Sequence, residues 1–142
     1  GYTMMYRYTK DETYLEHARK IASFILEHPR MPEDMIPYWD FDAPDIPDTF
    51  RDVSAASIMC SALIELATYC PDMAERYIDV AEIQLRALSS PQYTAAVGTN
   101  GGYLLMHSTG NFPKSREVDA PLSYADYYYL EALLKYRDNF LK

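Results

Sequence analysis

The stretch from Pro37 to Asp52, PYWDFDAPDIPDTFRD, concentrates side chains that suit the recognition of a sugar. The ring of Trp39 can stack on the apolar face of a sugar, and Asp40 and Asp42 can accept hydrogen bonds from its hydroxyl groups. A structural role is the alternative, in which Trp39 plugs one end of the fold and the aspartates cap local turns. The residues alone leave both interpretations open.

Arg51 and Asp52 end this stretch, directly before a segment whose apolar residues predict a helix. An arginine at a helix entrance can bind a carboxylate through two parallel hydrogen bonds, and helix N-termini favour anions. The alternative is an internal salt bridge between Arg51 and one of the nearby aspartates, which would brace the loop.

A second polar stretch, HSTGNFPKSREVDAPLSYADYY, begins at His107. His107 could act as a general acid, donate a hydrogen bond to a substrate, or be a buried hydrogen-bonded residue. Hydroxyl groups such as that of Ser108 lie beside two cations, Lys114 and Arg116. Such a cluster suits an acidic sugar or a sulfate, and it is equally typical of a solvated loop.

Carboxylates in these stretches could form a hydrolytic pair, since glycosidases place an acid and a base or nucleophile on opposite sides of the scissile bond. The candidates are Asp40, Asp42, Asp52, Asp119 and Asp126, and the sequence selects no two of them. It contains no nucleophile elbow, P-loop or dinucleotide fingerprint. It also contains no CxxC or HxxxH spacing, so no metal site is predicted.

The composition is that of a folded acidic domain, with 142 residues, 49% hydrophobic residues and a net charge of -8. No basic stripe is present, which argues against a nucleic-acid partner, and no apolar run reaches the roughly 20 residues needed to span a bilayer. Cys60 and Cys70 would lie about 15 Å apart on one helix, too far for a disulfide. We therefore expect buried free thiols.

The elements that must position these side chains are helices, because apolar residues recur at offsets of three, four and seven. The pattern predicts an all-α fold of antiparallel helical hairpins. Capping patterns place three helix starts, at Thr9 with Glu12, Asp72 with Glu75, and Ser123 with Asp126.

Two long connections, from His28 to Arg51 and from Ser89 to Leu122, carry the polar stretches. Long loops in compact helical domains are usually functional. Alternate connections of stacked hairpins emerge at the same end, so Trp39 and His107 should lie at a common end of the molecule.

Three stretches resemble, in this order, the C-terminal part of unsaturated glucuronyl hydrolases, glycoside hydrolase family 88. They are YRYTKDETYLEHARKIASFIL, PYWDFDAPDIPDTFRDVSAASIMCSALIEL and HSTGNFPKSREVDAPLSYADYYYLEALL. The resemblance runs from Tyr2 to about Tyr136. It implies that residues 1–142 form roughly half of an (α/α)6 barrel, the C-terminal part of a single catalytic domain whose N-terminal part is absent.

The resemblance also implies an activity, the release of 4,5-unsaturated uronic acid from oligosaccharides that polysaccharide lyases produce. In that family an aspartate protonates the vinyl ether and water adds, with no cofactor. The catalytic aspartates are expected upstream of Gly1, so none is expected in this chain, and the fragment alone should be inactive. A bacterial source is implied, in cytoplasm or periplasm, with the parent polysaccharide open.

By matching position, the resemblance places six residues near the unsaturated oligosaccharide: Trp39, Arg51, Asp52, His107, Ser108 and Tyr124. Lys114 is a possible contact for sulfate or carboxylate. Some family members grip sulfate with a Ser-x-x-Ser-x-Lys loop, whereas the stretch from Ser108 to Lys114 lacks the second serine and places the lysine one residue later.

The alternative function is a non-catalytic helical-hairpin module that binds glycans or a protein. If the chain is instead half of a barrel, it exposes apolar surface of the inner helices. That predicts self-association, or a need for the missing N-terminal half.

Overall fold

The computed structural model describes residues 1–141 and consists of helices joined by loops. The helices are α1 (Tyr2–Thr9), α2 (Glu12–Leu26), α3 (Val53–Tyr69), α4 (Ala74–Leu88) and α5 (Ser123–Phe140). Short 3-10 turns occupy Asn100–Gly102 and Phe112–Lys114. Within residues 1–141 extended pairing is limited to isolated β-bridges in the loops. The prediction of an all-α fold is confirmed.

Helix α3 is the centre of the arrangement, because it packs against each of the other four helices. Small residues such as Ser57 and Ser61 are fully buried on it and let the neighbouring helices approach closely. Helix α1 pairs with α2, and α4 and α5 flank α3. The core lies mainly between α3, α4 and α5, with Val53, Ile64 and Leu88 wholly inaccessible to solvent.

The predicted capping box at Thr9 and Glu12 is wrong, because Thr9 is the last residue of α1. Its hydroxyl donates to the Met5 carbonyl at 2.8 Å. Lys10 adopts the left-handed conformation that ends α1, and Asp11 is the N-cap of α2, accepting from the Thr13 N–H at 2.9 Å. The helical hairpin itself forms where it was predicted.

Helix α5 begins at Ser123 as predicted and α4 begins at Ala74, close to the predicted start, but neither has the predicted side-chain cap. Each aspartate has a partner elsewhere in the fold. Asp72 binds the guanidinium of Arg19 at 2.8 Å, and α4 starts after Met73 without a side-chain cap. Asp126 accepts hydrogen bonds from the backbone N–H groups of Leu104 and Leu105 at 2.8 and 2.9 Å. Helix α5 follows Leu122, again without a side-chain cap.

Both cysteines are buried free thiols, as predicted. Burial raises the pKa of the Cys60 thiol to about 12, and burial also raises the pKa of Cys70.

Two loops, residues 27–52 and 89–122, lie at the end of the molecule where α3 begins. The backbone N–H of Val53, the first residue of α3, donates to the His107 carbonyl at 3.2 Å. No helix within residues 1–141 is long and apolar enough to cross a bilayer.

Candidate functional site

The first loop (residues 27–52) and the second loop (residues 89–122) form one continuous surface, called here the rim. The rings of Trp39 and Phe112 stack with their centroids 4.3 Å apart and 25° between their planes. Phe50 adds a tilted contact to Phe112 at 5.9 Å. The Trp39 Nε1–H donates to the Thr49 hydroxyl at 3.2 Å. The prediction that the two loops meet at one end is confirmed.

Asp52 is the hydrogen-bonding junction between the loops and the start of α3. Its Oδ1 accepts from the Ser54 N–H at 3.0 Å and from the Ser54 hydroxyl at 2.6 Å, which makes it the N-cap. The same oxygen accepts from the Thr109 N–H at 3.2 Å. The Thr109 hydroxyl donates to the Arg51 carbonyl at 3.0 Å. Asp52 therefore anchors the second loop as well as capping the helix.

Arg51 forms the internal salt bridge that the sequence left open, with a partner that the sequence did not suggest. Its Nη1 donates to Asp34 Oδ1 at 3.0 Å and also to the Ile36 carbonyl. Its guanidinium lies 4.7 Å from the centre of the Tyr38 ring. About a quarter of the arginine side chain is exposed, 26%. Arg51 thus braces the first loop, and a role in binding remains a prediction.

Asp34 connects the two loops, and no sequence pattern singled it out. Besides Arg51 it accepts from the Tyr93 hydroxyl at 2.7 Å and from the Ile36 N–H at 3.1 Å. Tyr93 belongs to the second loop and is 2% exposed. Burial and the bond to Asp34 raise the pKa of the Tyr93 hydroxyl well above its ordinary value.

His107 lies half-exposed on the rim and faces Asp119. Its Nδ1 is 2.6 Å from Asp119 Oδ1, and the two side chains are 42% and 45% exposed. The Tyr93 ring meets the imidazole edge-on at a centroid distance of 6.4 Å. Of the alternatives that the sequence left open for His107, the buried one does not apply, although the hydrogen bond is present.

The remaining predicted site residues differ in accessibility. Ser108 is fully buried, its hydroxyl has no hydrogen-bond partner, and its backbone pairs with Ala120. In this conformation a ligand cannot contact the Ser108 side chain. Tyr124 is 39% exposed and Lys114 is exposed at the tip of the second loop. Tyr124 lies beside Gly110, where an added Cβ would be 3.2 Å from the tyrosine hydroxyl.

Hydrogen bonds within the protein occupy four of the five aspartates considered as a hydrolytic pair. Asp40 accepts from the Asp42 N–H at 2.8 Å, which is the local turn cap that the sequence offered as the alternative. Asp52 caps α3, Asp119 binds His107 and Asp126 holds the backbone of residues 104 and 105. These contacts within the protein explain why aspartates are frequent on and beside the rim.

Comparison with known proteins places this surface in context. The chain is 47% identical, over all its 142 residues, to an unsaturated glucuronyl hydrolase from Formosa agariphila, of which it spans 35%. The chain matches part of an unsaturated glucuronyl hydrolase. Its structure superposes on the crystal structure of an unsaturated glucuronyl hydrolase specific for heparin with a TM-score of 0.93 at 48% identity. That superposition covers 96% of this chain and 37% of the other.

More distant glucuronyl hydrolases align over nearly the same range. The chain is 33% identical over 141 residues to the enzyme from Bacillus sp. GL1, of which it covers 36%. It is 30% identical over 139 residues to an unsaturated chondroitin disaccharide hydrolase from Streptococcus pneumoniae, of which it covers 34%. The chain therefore spans about a third of these relatives, whose structures are α/α barrels. No protein-family model matches it.

Proposed function

We propose that the chain forms part of the substrate-binding rim of a glycoside hydrolase that releases 4,5-unsaturated uronic acid from lyase-generated oligosaccharides. The observation that carries the proposal is the 47% identity to an unsaturated glucuronyl hydrolase, which extends over all 142 residues and so includes both loops. A relative from Streptococcus agalactiae, at 30% identity, has been crystallised with dGlcA-GalNAc6S.

In this proposal the groups that bind the sugar lie in this chain, and the groups that cleave it lie in the rest of the enzyme. The chain spans about a third of its relatives. In this proposal the catalytic aspartates belong to the remaining part. The rim aspartates support this division, because four of the five candidates already serve as caps or anchors. The chain contributes groups that hold the sugar.

Rim residues take different roles in holding that sugar. Trp39 offers the part of its ring that Phe112 does not cover. His107 and Tyr124 offer polar groups to sugar hydroxyls, and Lys114 offers a cation to a sulfate or carboxylate. Arg51 and Asp52 keep the rim in shape through the contacts with Asp34, Ser54 and Thr109 described above.

We further propose that residues 1–142 are the C-terminal part of a single (α/α)6-barrel domain. Apolar side chains are exposed along α1 and α5, including Tyr2, Met4, Tyr8, Tyr127, Leu130 and Leu134. Tyr127, Leu130 and Leu134 lie at offsets of three and seven, so they share one face of α5. Helices of the remaining barrel cover these faces, and the isolated chain self-associates through them.

The activity is tested by mixing the chain with the complementary two thirds of the Formosa agariphila relative. Loss of the absorbance of the C4=C5 double bond of an unsaturated disaccharide reports turnover. We expect none from the chain alone and turnover from the two parts together. Turnover by the chain alone would place catalytic groups within these residues. Absence of turnover together with absence of disaccharide binding by the mixture would overturn the proposed function.

Self-association is tested by sedimentation velocity over a range of concentrations. We expect oligomers that grow with concentration for the chain alone and a one-to-one complex with the complementary part. The double substitution Leu130→Lys and Leu134→Lys should abolish both associations if the face of α5 is the contact. A wild-type chain that stays monomeric at high concentration would contradict this assignment.

A further inference from the structure

The contact between His107 and Asp119 fixes the position of a proton. The imidazole Nδ1 lies 2.6 Å from Asp119 Oδ1. An ionised carboxylate can only accept hydrogen bonds, so neutral His107 must carry its proton on Nδ1. Its lone pair is then on Nε2.

The backbone of the second loop is constrained to bring these two side chains together. His107 and Asp119 have φ angles of 65° and 51°, in the left-handed region that residues other than glycine seldom adopt. Backbone hydrogen bonds between Ser108 and Ala120, at 3.1 and 2.9 Å, join the next residues along the chain. Strain at both positions is therefore held by pairing immediately beside the dyad.

Other groups around the ring leave Nε2 free. Within residues 1–141 Nε2 has no hydrogen-bond partner, while 42% of the side chain is exposed. The Tyr93 ring contacts the imidazole, but the Tyr93 hydroxyl donates its hydrogen bond to Asp34. Asp34 is in turn paired with Arg51. Asp119 is the charged group in contact with the imidazole.

We propose that Asp119 is a positioning residue that holds His107 in its Nδ1–H form, so that Nε2 accepts a hydrogen bond from a sugar hydroxyl at the rim. The tautomer follows from the contact alone, whereas the sugar as the donor rests on the function proposed above. In this arrangement the rim selects for a hydroxyl at that point of the sugar and against a deoxy or alkylated position, which has no proton to donate.

The tautomer is tested directly on the 142-residue chain labelled with 15N-histidine. Two-bond 1H–15N correlation spectra at about pH 8, above the ordinary histidine pKa, distinguish a protonated ring nitrogen from one with a lone pair. The chain has three histidines, and His107→Gln assigns the signal. We expect protonated Nδ1 in the wild type. In Asp119→Leu no side chain accepts from Nδ1–H, so the proton is no longer held on Nδ1 and the Nε2-protonated form should appear.

The sugar contact is tested in the two-part assay with an unsaturated disaccharide. Asp119→Leu releases the imidazole ring, so KM should rise by up to about tenfold, the effect of losing one hydrogen bond, with kcat changed less than about twofold. Asp79→Leu, which makes the same change at an exposed site on α4, outside the two loops, is the matched control and should leave KM unchanged.

The outcomes separate the two halves of the inference. A wild-type His107 protonated on Nε2, or an Asp119→Leu chain in which Nδ1 stays fully protonated, overturns the positioning role. A changed tautomer with an unchanged KM overturns the sugar contact while the activity itself stands. A wild-type pair that neither turns over nor binds the disaccharide overturns the proposed function and with it the sugar contact, and leaves the tautomer result valid.

Discussion

Replacing Asp34 by alanine should weaken the attachment of the first loop to the second. Asp34 is the shared acceptor for Arg51, the Tyr93 hydroxyl and the Ile36 N–H, at 3.0, 2.7 and 3.1 Å. Tyr93 is 2% exposed, so its hydroxyl would be left buried without a partner, at a cost of about 1–3 kcal/mol. The substitution also leaves the partly buried charge of Arg51 without its carboxylate partner. The total loss in the free energy of unfolding is then about 3–5 kcal/mol.

The assay uses Trp39, the only tryptophan in the chain, as a reporter of the first loop. Urea unfolding is followed by Trp39 fluorescence and by far-UV circular dichroism, which reports the helices. In Asp34→Ala the fluorescence transition should move to lower urea than the helical transition. Trp39 loses its packing when the first loop opens, whereas the helices are held by the core around α3.

Tyr93→Phe is the matched control, because it removes one of the three donors and leaves the other two in place. Its fluorescence midpoint should fall by the equivalent of about 0.5–1.5 kcal/mol. The reasoning is refuted if Asp34→Ala has the wild-type fluorescence transition, or if Tyr93→Phe is as damaging as Asp34→Ala.

Three further predictions test the thiols, a surface ion pair and the rim. Because burial raises the pKa of Cys60 to about 12, iodoacetamide at about pH 8 should modify it only after unfolding; modification of the native chain, seen by mass spectrometry, would contradict this. Bonding to Arg19 lowers the pKa of Asp72 below its ordinary 3.8, so its stabilisation is present above that pH and is lost as pH falls through the lower folded-state pKa. Asp72→Asn should therefore lower Tm at about pH 6, and the difference should shrink as the pH falls below 3.8; a difference that does not change with pH would refute the sign. Gly110→Ala places a Cβ 2.5 Å from Glu117 Oε2 and 3.2 Å from the Tyr124 hydroxyl, so KM for the disaccharide should rise about threefold with unchanged helix content, and an unchanged KM would remove Tyr124 from the sugar contacts.

Helices and loop placement were predictable from the sequence because their causes are local. The apolar period of α2 and α3 is read within one segment, and the alternation of connections then brings Trp39 and His107 to one end. The helix caps were not predictable, because a sequence that matches a capping pattern does not show which other groups compete for the same side chain. Asp72 binds Arg19, and Asp126 binds the backbone at residues 104 and 105.

The details of the rim depend on pairing between residues distant in the chain. The hydrogen bond between Tyr93 and Asp34 joins residues that are 59 positions apart in the chain. No rule of sequence spacing predicts such a contact. The His107–Asp119 dyad requires positive φ at both residues, which their types permit but do not dictate. Ser108 is buried because its backbone pairs with Ala120, and a serine in a polar stretch gives no sign of that.

The tip of the second loop, residues 113–115, is the part of the loop that can change most freely, because the loop is attached to the rest of the fold elsewhere. The attachments fall on Tyr93, Leu105, His107 and Thr109 and on Phe112, whose ring stacks on Trp39. Asn111 and Arg116 close a small turn of their own by mutual backbone bonds. The segment 113–115 within this turn can therefore be lengthened, shortened or given other charges while Phe112 keeps its stacking and the entrance of α3 keeps its geometry. Changes in this segment would alter the charge that Lys114 places beside the rim, at little expense to folding.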